Sequence, residues 1–272
     1  MNDLPADCPI LRGESLTLRY DAREISRDLD IAIPAGRITI IVGPNASGKS
    51  TLLRALSRLL MPSSGRVLLH DRGIRDWKAR DLARSMALLP QSSIAPQGIS
   101  VVDLVARGRY PHQSLLRQWS PEDERAVAAA LADTHITDLA DRPVDTLSGG
   151  QRQRVWLAMT LAQDAPLMLL DEPTTYLDIA HQLELLDLCR RLNRAKGRTL
   201  VMVLHDLNLA ARYADHMIAM KGGAIMATGS PSHVLTCEMI ALVFGMDSLV
   251  MPDPVTGAPM VVPISPDAGQ TT

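Results

Sequence analysis

The sequence is poor in cysteine, in aromatic residues and in lysine. Its 272 residues include only three cysteines, and Cys8, Cys189 and Cys237 stand too far apart to form a C-x-x-C pair. Neither a disulfide framework nor a zinc site is therefore indicated. Aromatic residues make up only 3% of the chain, so aliphatic side chains and methionine must fill the core.

Long apolar runs and an excess of basic charge are absent as well. No apolar stretch reaches the length of about 18 residues that a membrane-spanning helix needs. The N-terminus lacks the basic and then apolar order of a signal peptide, so a cytoplasmic chain is expected. The formal net charge is −2, which gives no electrostatic reason to expect nucleic acid as a partner.

One motif dominates what is present: Gly43-Pro44-Asn45-Ala46-Ser47-Gly48-Lys49-Ser50. It fits the phosphate-binding loop G-x-x-x-x-G-K-[S/T], and it lies between a β-branched run at 38–42 and a helical stretch that starts at Thr51. Backbone N–H groups of such a loop point at phosphate oxygens. We expect Lys49, one of only four lysines, to reach the β- and γ-phosphates and Ser50 to bind Mg²⁺.

The apolar runs around this loop predict alternating strands and helices. Short strands are expected within 14–42, further strands at 66–70, 86–89, 167–170, 199–204 and 217–221, and helices at 51–60, 120–134, 179–194 and 207–213. Between about 92 and 160 the pattern is helical. The sequence therefore predicts an α/β core, 1–91 with 161–262, an inserted helical subdomain at 92–160, and a loose tail at 263–272.

Polar residues follow four of the predicted strands. Because ligands bind at the carboxyl ends of parallel strands, one sheet edge is expected to carry Lys49, Gln91, Asp171, Glu172 and His205. Asp171 would then hold Mg²⁺, and Glu172 would act as the general base for the attacking water. His205 would sense the γ-phosphate. The alternatives are an acidic pair that caps an element, and a Gln and a His that are ordinary polar residues at strand ends.

A second motif stands between helical segments: Leu147-Ser148-Gly149-Gly150-Gln151. Serine and two glycines at a helix N-terminus form an anion site, although a simple helix cap would use the same residues. The chain would then contain two phosphate-reading elements.

The order of these motifs resembles that of ABC-transporter ATPase subunits over about residues 14–262. A narrower resemblance, to the ATPases of bacterial ferric-siderophore importers, rests on 104–112, 144–147, 174–182 and 253–257. It implies an α/β fold with a P-loop NTPase core, a mainly parallel sheet, an N-terminal antiparallel β subdomain and the inserted helical subdomain.

The resemblance also implies the ligands and their residues. ATP would lie on residues 43–51 with Tyr20 stacked on adenine, and Mg²⁺ would be held by Ser50, Gln91 and Asp171. The catalytic residues would be Glu172, His205 and Gln91. Ser148, Gly149, Gly150 and Gln151 would contact the γ-phosphate held by a second copy of the chain, and Asp178 would couple the two sites.

The implied partners are a second copy on ATP binding, transmembrane permease subunits and, indirectly, a substrate-binding protein. The chain itself would lie at the cytoplasmic face of the inner membrane as a peripheral subunit. Two positions depart from the wider family. Ala46 stands where glycine is common, and it costs about 1 kcal/mol if the loop needs a positive φ. Tyr176 stands where Ala or Gly is frequent, but a bulky ring matches the siderophore subgroup.

Three alternatives remain beside the siderophore importer. The first is an importer of another large chelate, such as haem or cobalamin, because this chain would never touch the cargo. The second is a soluble ABC ATPase that acts on DNA or ribosomes, but long coiled-coil insertions and a second ATPase unit are both missing. The third is a GTPase switch, which leaves the motif at 147–151 unexplained.

Overall fold

The structure is a computed structural model that describes residues 9–21, 23–91, 94–114 and 118–265. The chain forms two compact units, Met1–Arg75 with Val201–Thr272 and Asp76–Leu200. The predicted division into 1–91 with 161–262 and 92–160 stays a prediction. Most of the predicted tail, 263–272, lies outside the described residues.

Strands and helices alternate along most of the chain. The strands are β1 (Pro9–Tyr20), β2 (Arg23–Pro34), β3 (Ile38–Val42), β4 (Ser64–Leu69), β5 (Arg72–Gly73), β6 (Met86–Leu89), β7 (Leu167–Asp171), β8 (Thr199–Val203), β9 (His216–Lys221), β10 (Ala224–Gly229), β11 (Ser248–Pro252) and β12 (Pro259–Pro263). The α-helices are α1 (Lys49–Leu56), α2 (Ala79–Ser85), α3 (Val101–Ala106), α4 (Pro121–Asp133), α5 (Gly149–Ala162), α6 (Ile179–Lys196), α7 (Leu207–Tyr213), α8 (Pro231–Val234) and α9 (Cys237–Phe244). Within the described ranges, none of these helices is both long and apolar enough to cross a membrane.

The first unit contains an antiparallel sheet and a second group of strands with mixed pairing. The antiparallel strands follow the order β2-β1-β4-β5, as the predicted N-terminal subdomain requires. The other strands follow the order β10-β9-β3-β8, in which β3 pairs with β9 in parallel. All five residues of β3 are buried, which explains why a continuous β-branched run forms this strand. The predicted α/β architecture is confirmed.

The prediction of short strands within 14–42 is confirmed for β3 and wrong for the part before it. Two strands of 12 residues, β1 and β2, pair along their whole length. Their register shifts at several places, and Ser15 and Asp28 adopt positive φ angles of 47° and 49°. Such bulges interrupt the alternation of inward and outward side chains. The sequence therefore shows several short alternating patterns where the backbone forms one continuous strand.

The second unit combines helices with a parallel strand pair, β6 and β7. Helix α4 begins where the sequence predicts it. Ser120 Oγ accepts the N–H of Asp123 at 3.2 Å, Asp123 Oδ2 accepts the N–H of Ser120 at 3.0 Å, and Pro121 occupies the first turn. This reciprocal cap satisfies two N–H groups that the helix itself cannot bond.

A buried ion pair fastens the short 3₁₀ segment Arg107–His112 to helices α4 and α5. Arg109 is 3% exposed, its Nε donates to Asp123 Oδ1 at 2.8 Å, and its Nη1 donates to the Ala162 carbonyl at 2.7 Å. Burial tends to raise the pKa of Asp123, but hydrogen bonds from Ser120 and Arg109 outweigh it and keep that pKa below its usual value. The pair therefore exists in its charged form at neutral pH.

Replacing Arg109 with Leu should lower the free energy of unfolding by about 3 kcal/mol or more, because Asp123 is then buried without its partner. Chemical denaturation measures this loss, and Arg27→Leu, which breaks the exposed pair with Glu24, should change stability far less. The lowered pKa of Asp123 gives a stabilisation that is complete above the unfolded pKa of about 3.9 and is lost as the pH falls through the folded value. The difference in the free energy of unfolding between wild type and Arg109→Leu should therefore narrow below about pH 4, and a difference that does not narrow would contradict this account.

The two described cysteines differ in environment. Cys189 is buried on α6, and burial raises the pKa of its thiol to about 12. Cys237 is exposed at the start of α9, and Cys8 lies outside the described residues. Cys189 and Cys237 are both free thiols in the described part of the chain.

Candidate functional site

The predicted phosphate loop connects β3 to α1 and has an unusual backbone. Gly43, Ala46 and Gly48 adopt positive φ angles of 154°, 62° and 100°. A Cβ atom on Gly43 would lie 2.2 Å from the Met220 carbonyl oxygen, so no larger residue fits there. The left-handed Ala46 carries the cost of about 1 kcal/mol that a methyl group adds in this conformation.

Lys49 stands in the first turn of α1 and points back at the loop. Its side chain is buried, and Nζ donates to the carbonyl oxygens of Gly43 and Pro44, both at 2.9 Å. The ammonium is thereby held against the loop backbone, where a phosphate group would need it.

The residues of the loop fit a bound phosphate chain. Ser47 Oγ is buried and has no hydrogen-bond partner among the described residues, and such a buried hydroxyl is costly unless something bonds it. Loop N–H groups and the N-terminus of α1 add donors and positive potential. Ser50 lies in the first turn of α1, and its hydroxyl is the kind of hard oxygen that Mg²⁺ prefers.

Tyr20 and His205 both belong to the first unit. Tyr20 ends β1, is partly exposed, and accepts a hydrogen bond from Arg54 Nη1 of α1 at 3.4 Å. His205 is exposed and comes two residues after β8, whose end lies beside β3 because Leu204 N–H donates to the Ile41 carbonyl at 3.3 Å. The sheet edge that carries the loop thus also carries His205, as predicted from strand polarity.

Gln91 and the acidic pair share an edge in the second unit. Strands β6 and β7 run in parallel with Leu89 opposite Leu170, so Gln91 and Asp171 both follow at the carboxyl ends. Asp171 is buried and Gln91 is exposed. The structure brings these two residues to one edge, and their metal-binding and catalytic roles stay predictions.

Glu172 has a strained backbone. Its φ is 52°, a value that residues with a side chain rarely adopt, and it is 9% exposed. Thr175 fixes it twice, because the Thr175 N–H donates to the Glu172 carbonyl at 3.2 Å and the hydroxyl donates to Oε2 at 3.3 Å. Strain of this kind persists at functional sites when the surroundings over-determine the conformation.

The second motif forms the N-terminus of α5. Ser148 Oγ accepts the N–H of Gln151 at 3.3 Å, and Gln151 Oε1 accepts the N–H of Ser148 at 3.1 Å. A Cβ atom on Gly150 would lie 3.3 Å from the Tyr176 carbonyl oxygen, and Gly149 also faces Tyr176. The motif is thus a capped helix start, and its role as an anion site stays a prediction.

Asp178 caps helix α6. Its Oδ1 accepts the backbone N–H of His181 at 2.9 Å and contacts His181 Nδ1 at 2.8 Å. The pKa of Asp178 is lowered, chiefly because of the bond from the His181 backbone. A negative charge at this helix start is stabilised by the helix dipole.

Helix α7, which follows His205, is held by residues that the sequence analysis missed. Asp206 caps the helix, and Asn208 exchanges two hydrogen bonds with the backbone of Val261 in β12, at 3.2 and 2.7 Å. Arg212 Nε donates to Asp253 Oδ2 at 2.6 Å. Asp253 begins the stretch 253–257, which connects β11 to β12. The hairpin of these two strands therefore holds α7, the helix that follows His205.

The loop also receives support from the turn between β9 and β10, which the sequence analysis did not consider. The Gly223 N–H donates to the Ser47 carbonyl at 3.0 Å. The signal available in the sequence was the pair Gly222-Gly223, which is typical of a tight hairpin turn.

Comparisons with known proteins identify the family of the chain. The family model described as "ABC transporter" matches residues 26–175. The chain is 52% identical over 261 residues to the ferric enterobactin transport ATP-binding protein of Escherichia coli, covering 96% of each chain. It is 49% identical over 260 residues to the achromobactin transport ATP-binding protein of Dickeya dadantii, covering 96% of this chain and 97% of the relative.

Solved structures share the fold. A metal-chelate type ABC transporter in an inward-facing conformation matches 95% of this chain and 98% of its own, with a TM-score of 0.80 and 28% identity. A dimeric ATP-binding cassette in a post-hydrolysis state, bound to ADP and Pi, matches 81% of this chain and 98% of its own, with a TM-score of 0.72 and 26% identity. With its phosphate loop, its second motif and these relatives, the chain belongs to the ABC transporter family, as one of the ATP-binding subunits that hydrolyse ATP.

Proposed function

We propose that this chain powers the uptake of ferric siderophores through a bacterial ABC importer. The observation that carries the proposal is the identity of 52% and 49% to two siderophore transport ATP-binding proteins over almost the whole length of all three chains. The matched spans of 261 and 260 residues reach far beyond the phosphate-binding motifs.

In this proposal the first unit binds the nucleotide. Lys49 transfers its hydrogen bonds from the loop carbonyls to the β- and γ-phosphates, Ser47 Oγ gains its missing partner, and Tyr20 stacks on adenine. Ser50 contributes a hydroxyl to Mg²⁺, for which Gln91 and Asp171 remain the other predicted ligands. The metal would neutralise charge on the phosphate oxygens when bound.

Glu172 is the proposed general base. A carboxylate held by Thr175 in one conformation can accept a proton from the attacking water without first being ordered, which lowers the entropic cost of the step. His205 stands at the edge that carries the phosphate loop and would donate to the γ-phosphate. Gln91 would report nucleotide state to the segment that follows it.

A second copy of the chain would complete the site. The anion-binding start of α5, with Ser148, Gly149, Gly150 and Gln151, would face the γ-phosphate held by the other copy, and Asp178 would lie at the same interface. Two apolar side chains beside this motif, Tyr176 and Ile179, are 78% and 75% exposed, as expected of a surface that another subunit covers. The dimeric cassette with ADP and Pi supports this arrangement.

The permease contact is proposed for the segment between Gln91 and His112, at the cytoplasmic face of the membrane. Ile94 and Tyr110 are 94% and 60% exposed there, and apolar and aromatic residues of this kind form the centres of protein interfaces. Arg80 and Arg84 both donate through Nε to the Pro111 carbonyl at 2.8 Å, which holds the Tyr110 turn in place. The substrate-binding protein would act only through the permease.

Uptake of radioiron-labelled ferric enterobactin tests the cargo. In a strain that lacks this chain and any second siderophore ATPase, accumulation should fall to background, and wild-type chain should restore it. A chain with Glu172→Gln serves as the control, because it is present in the cell but is expected not to hydrolyse ATP at a useful rate. Normal accumulation in the deletion strain, or loss of haemin or cobalamin uptake instead, would assign the chain to another cargo and leave the ATPase function standing.

A further inference from the structure

The turn that joins β9 to β10 lies directly against the phosphate loop. Lys221 pairs with Ala224, so Gly222 and Gly223 form a two-residue hairpin turn, with φ angles of 53° and 82°. Positive φ at both central positions is the backbone that matches the twist of two antiparallel strands. Both glycines are therefore explained by turn geometry, but only one of them contacts the site.

The hairpin touches the loop at both ends. At the start of the loop, a Cβ atom added to Gly43 would lie only 2.2 Å from the Met220 carbonyl oxygen. At the end of the loop, the Gly223 N–H donates to the Ser47 carbonyl at 3.0 Å. The parallel pairing of β3 with β9, which sets Val42 opposite Ala219, keeps these two contacts in register.

Gly223 is also pressed against β2 from the other side. An added Cβ atom would lie 1.7 Å from the Ile25 carbonyl oxygen and 3.2 Å from Ser26 Cα. A Cβ atom on Gly222 would meet nothing within 4 Å. A methyl group at 223 must therefore push the turn away from β2, whereas the same group at 222 projects into open space.

We propose that the β9–β10 turn, through Gly223, is a positioning element of the phosphate loop, an inference that rests on the proposed ATP site. In a planar trans peptide the C=O and the following N–H point in opposite directions. The bond from Gly223 to the Ser47 carbonyl therefore turns the Gly48 N–H away from the hairpin, and a loop N–H is the kind of donor that a phosphate oxygen accepts. Preorganised donors bind an anion without the cost of being aligned on binding.

Gly223→Ala tests this role, and Gly222→Ala is the matched control. Both variants place alanine at a positive φ, but only Gly223→Ala also displaces the turn, so it should lose more thermal stability than Gly222→Ala. Titration of each full-length variant with Mg·ADP, below its unfolding transition, should give a Kd at least about tenfold weaker for Gly223→Ala. Gly222→Ala should stay within about twofold of wild type. When the rate of hydrolysis is measured over a range of ATP concentrations, the KM of Gly223→Ala should rise by a larger factor than its kcat falls.

A second measurement on the wild-type chain keeps the proposal testable if Gly223→Ala does not fold. Hydrogen exchange of the Gly223 amide should slow by about tenfold or more when Mg·ADP binds, and that of Gly222 should not. Three results would overturn this inference and leave the proposed function standing. They are an equal Kd for wild type and folded Gly223→Ala, an equal loss of affinity in both variants, and an exchange rate of the Gly223 amide that Mg·ADP does not change. A wild-type chain that does not bind Mg·ADP would overturn the proposed function, and the inference with it.

Discussion

Replacing Glu172 with Gln is expected to slow ATP hydrolysis by about 10²-fold or more while ATP still binds, the scale of a lost general base. The amide keeps the shape of the side chain and can still accept the Thr175 hydroxyl, but it cannot take the proton of the attacking water. Steady-state phosphate release and ATP titration measure the two effects separately.

Glu184→Gln is the control for this prediction, because it removes a carboxylate from an exposed position of α6. It should hydrolyse ATP at the wild-type rate. Since separation of the two copies would require hydrolysis, size exclusion with ATP should show a dimer of Glu172→Gln. A Glu172→Gln chain that turns over ATP like wild type would remove this residue from the proposed mechanism.

The second large effect is expected from Lys49→Ala, which should abolish most of the affinity for ATP. The triphosphate loses the only lysine of the loop, and the carbonyls of Gly43 and Pro44 lose the ammonium that faces them. Two negatively charged phosphates then meet carbonyl oxygens without a cation between them. Isothermal titration with Mg·ATP measures the loss.

Lys78→Ala is the matched control, since Lys78 is exposed and precedes α2 outside the loop. Its affinity should equal that of wild type. Thermal unfolding of both variants separates a binding defect from a folding defect. If folded Lys49→Ala binds ATP as wild type does, the phosphate-loop assignment is wrong.

The strands that carry the site were predictable because they are short, buried and bounded by polar residues. The predictions for β3 and β6, 38–42 and 86–89, agree with the structure, and those for β7 and β8 differ by one residue at one end. A buried parallel strand must be apolar on both faces, so the sequence itself marks where it starts and stops.

Local backbone conformations were less predictable. The helix predicted at 51–60 is α1, Lys49–Leu56, because Arg58 adopts a φ of 66° and the N–H groups of Leu59 and Leu60 both bond the Arg54 carbonyl at 2.9 Å. Arginine at a left-handed helix end has no sequence signal comparable to glycine. The elements after Lys221, from β10 to β12, were not assigned because they are short and partly exposed.

The sequence indicates candidate site residues, whose roles stay predictions, but it gives no sign of the backbone contacts that support them. Lys49, Ser50 and Glu172 stand in motifs whose spacing is fixed by the phosphate, and spacing is visible in a sequence. The hydrogen bond from Gly223 to Ser47 joins residues 176 positions apart and uses only backbone atoms. No residue type in the sequence indicates such a bond, so only the structure shows it.

The contrast between the two described cysteines gives the chain a natural site for a reporter group. The buried thiol of Cys189, with its raised pKa, does not form the thiolate that maleimides attack, whereas Cys237 opens helix α9 at the surface. At the other end of that helix, the Leu242 carbonyl accepts a hydrogen bond from Lys221 Nζ at 2.6 Å. With Cys8 replaced by Ser, a fluorophore on Cys237 lies on the helix that is bonded to the residue before the β9–β10 turn. We therefore expect its emission to change when nucleotide binds, without an engineered cysteine.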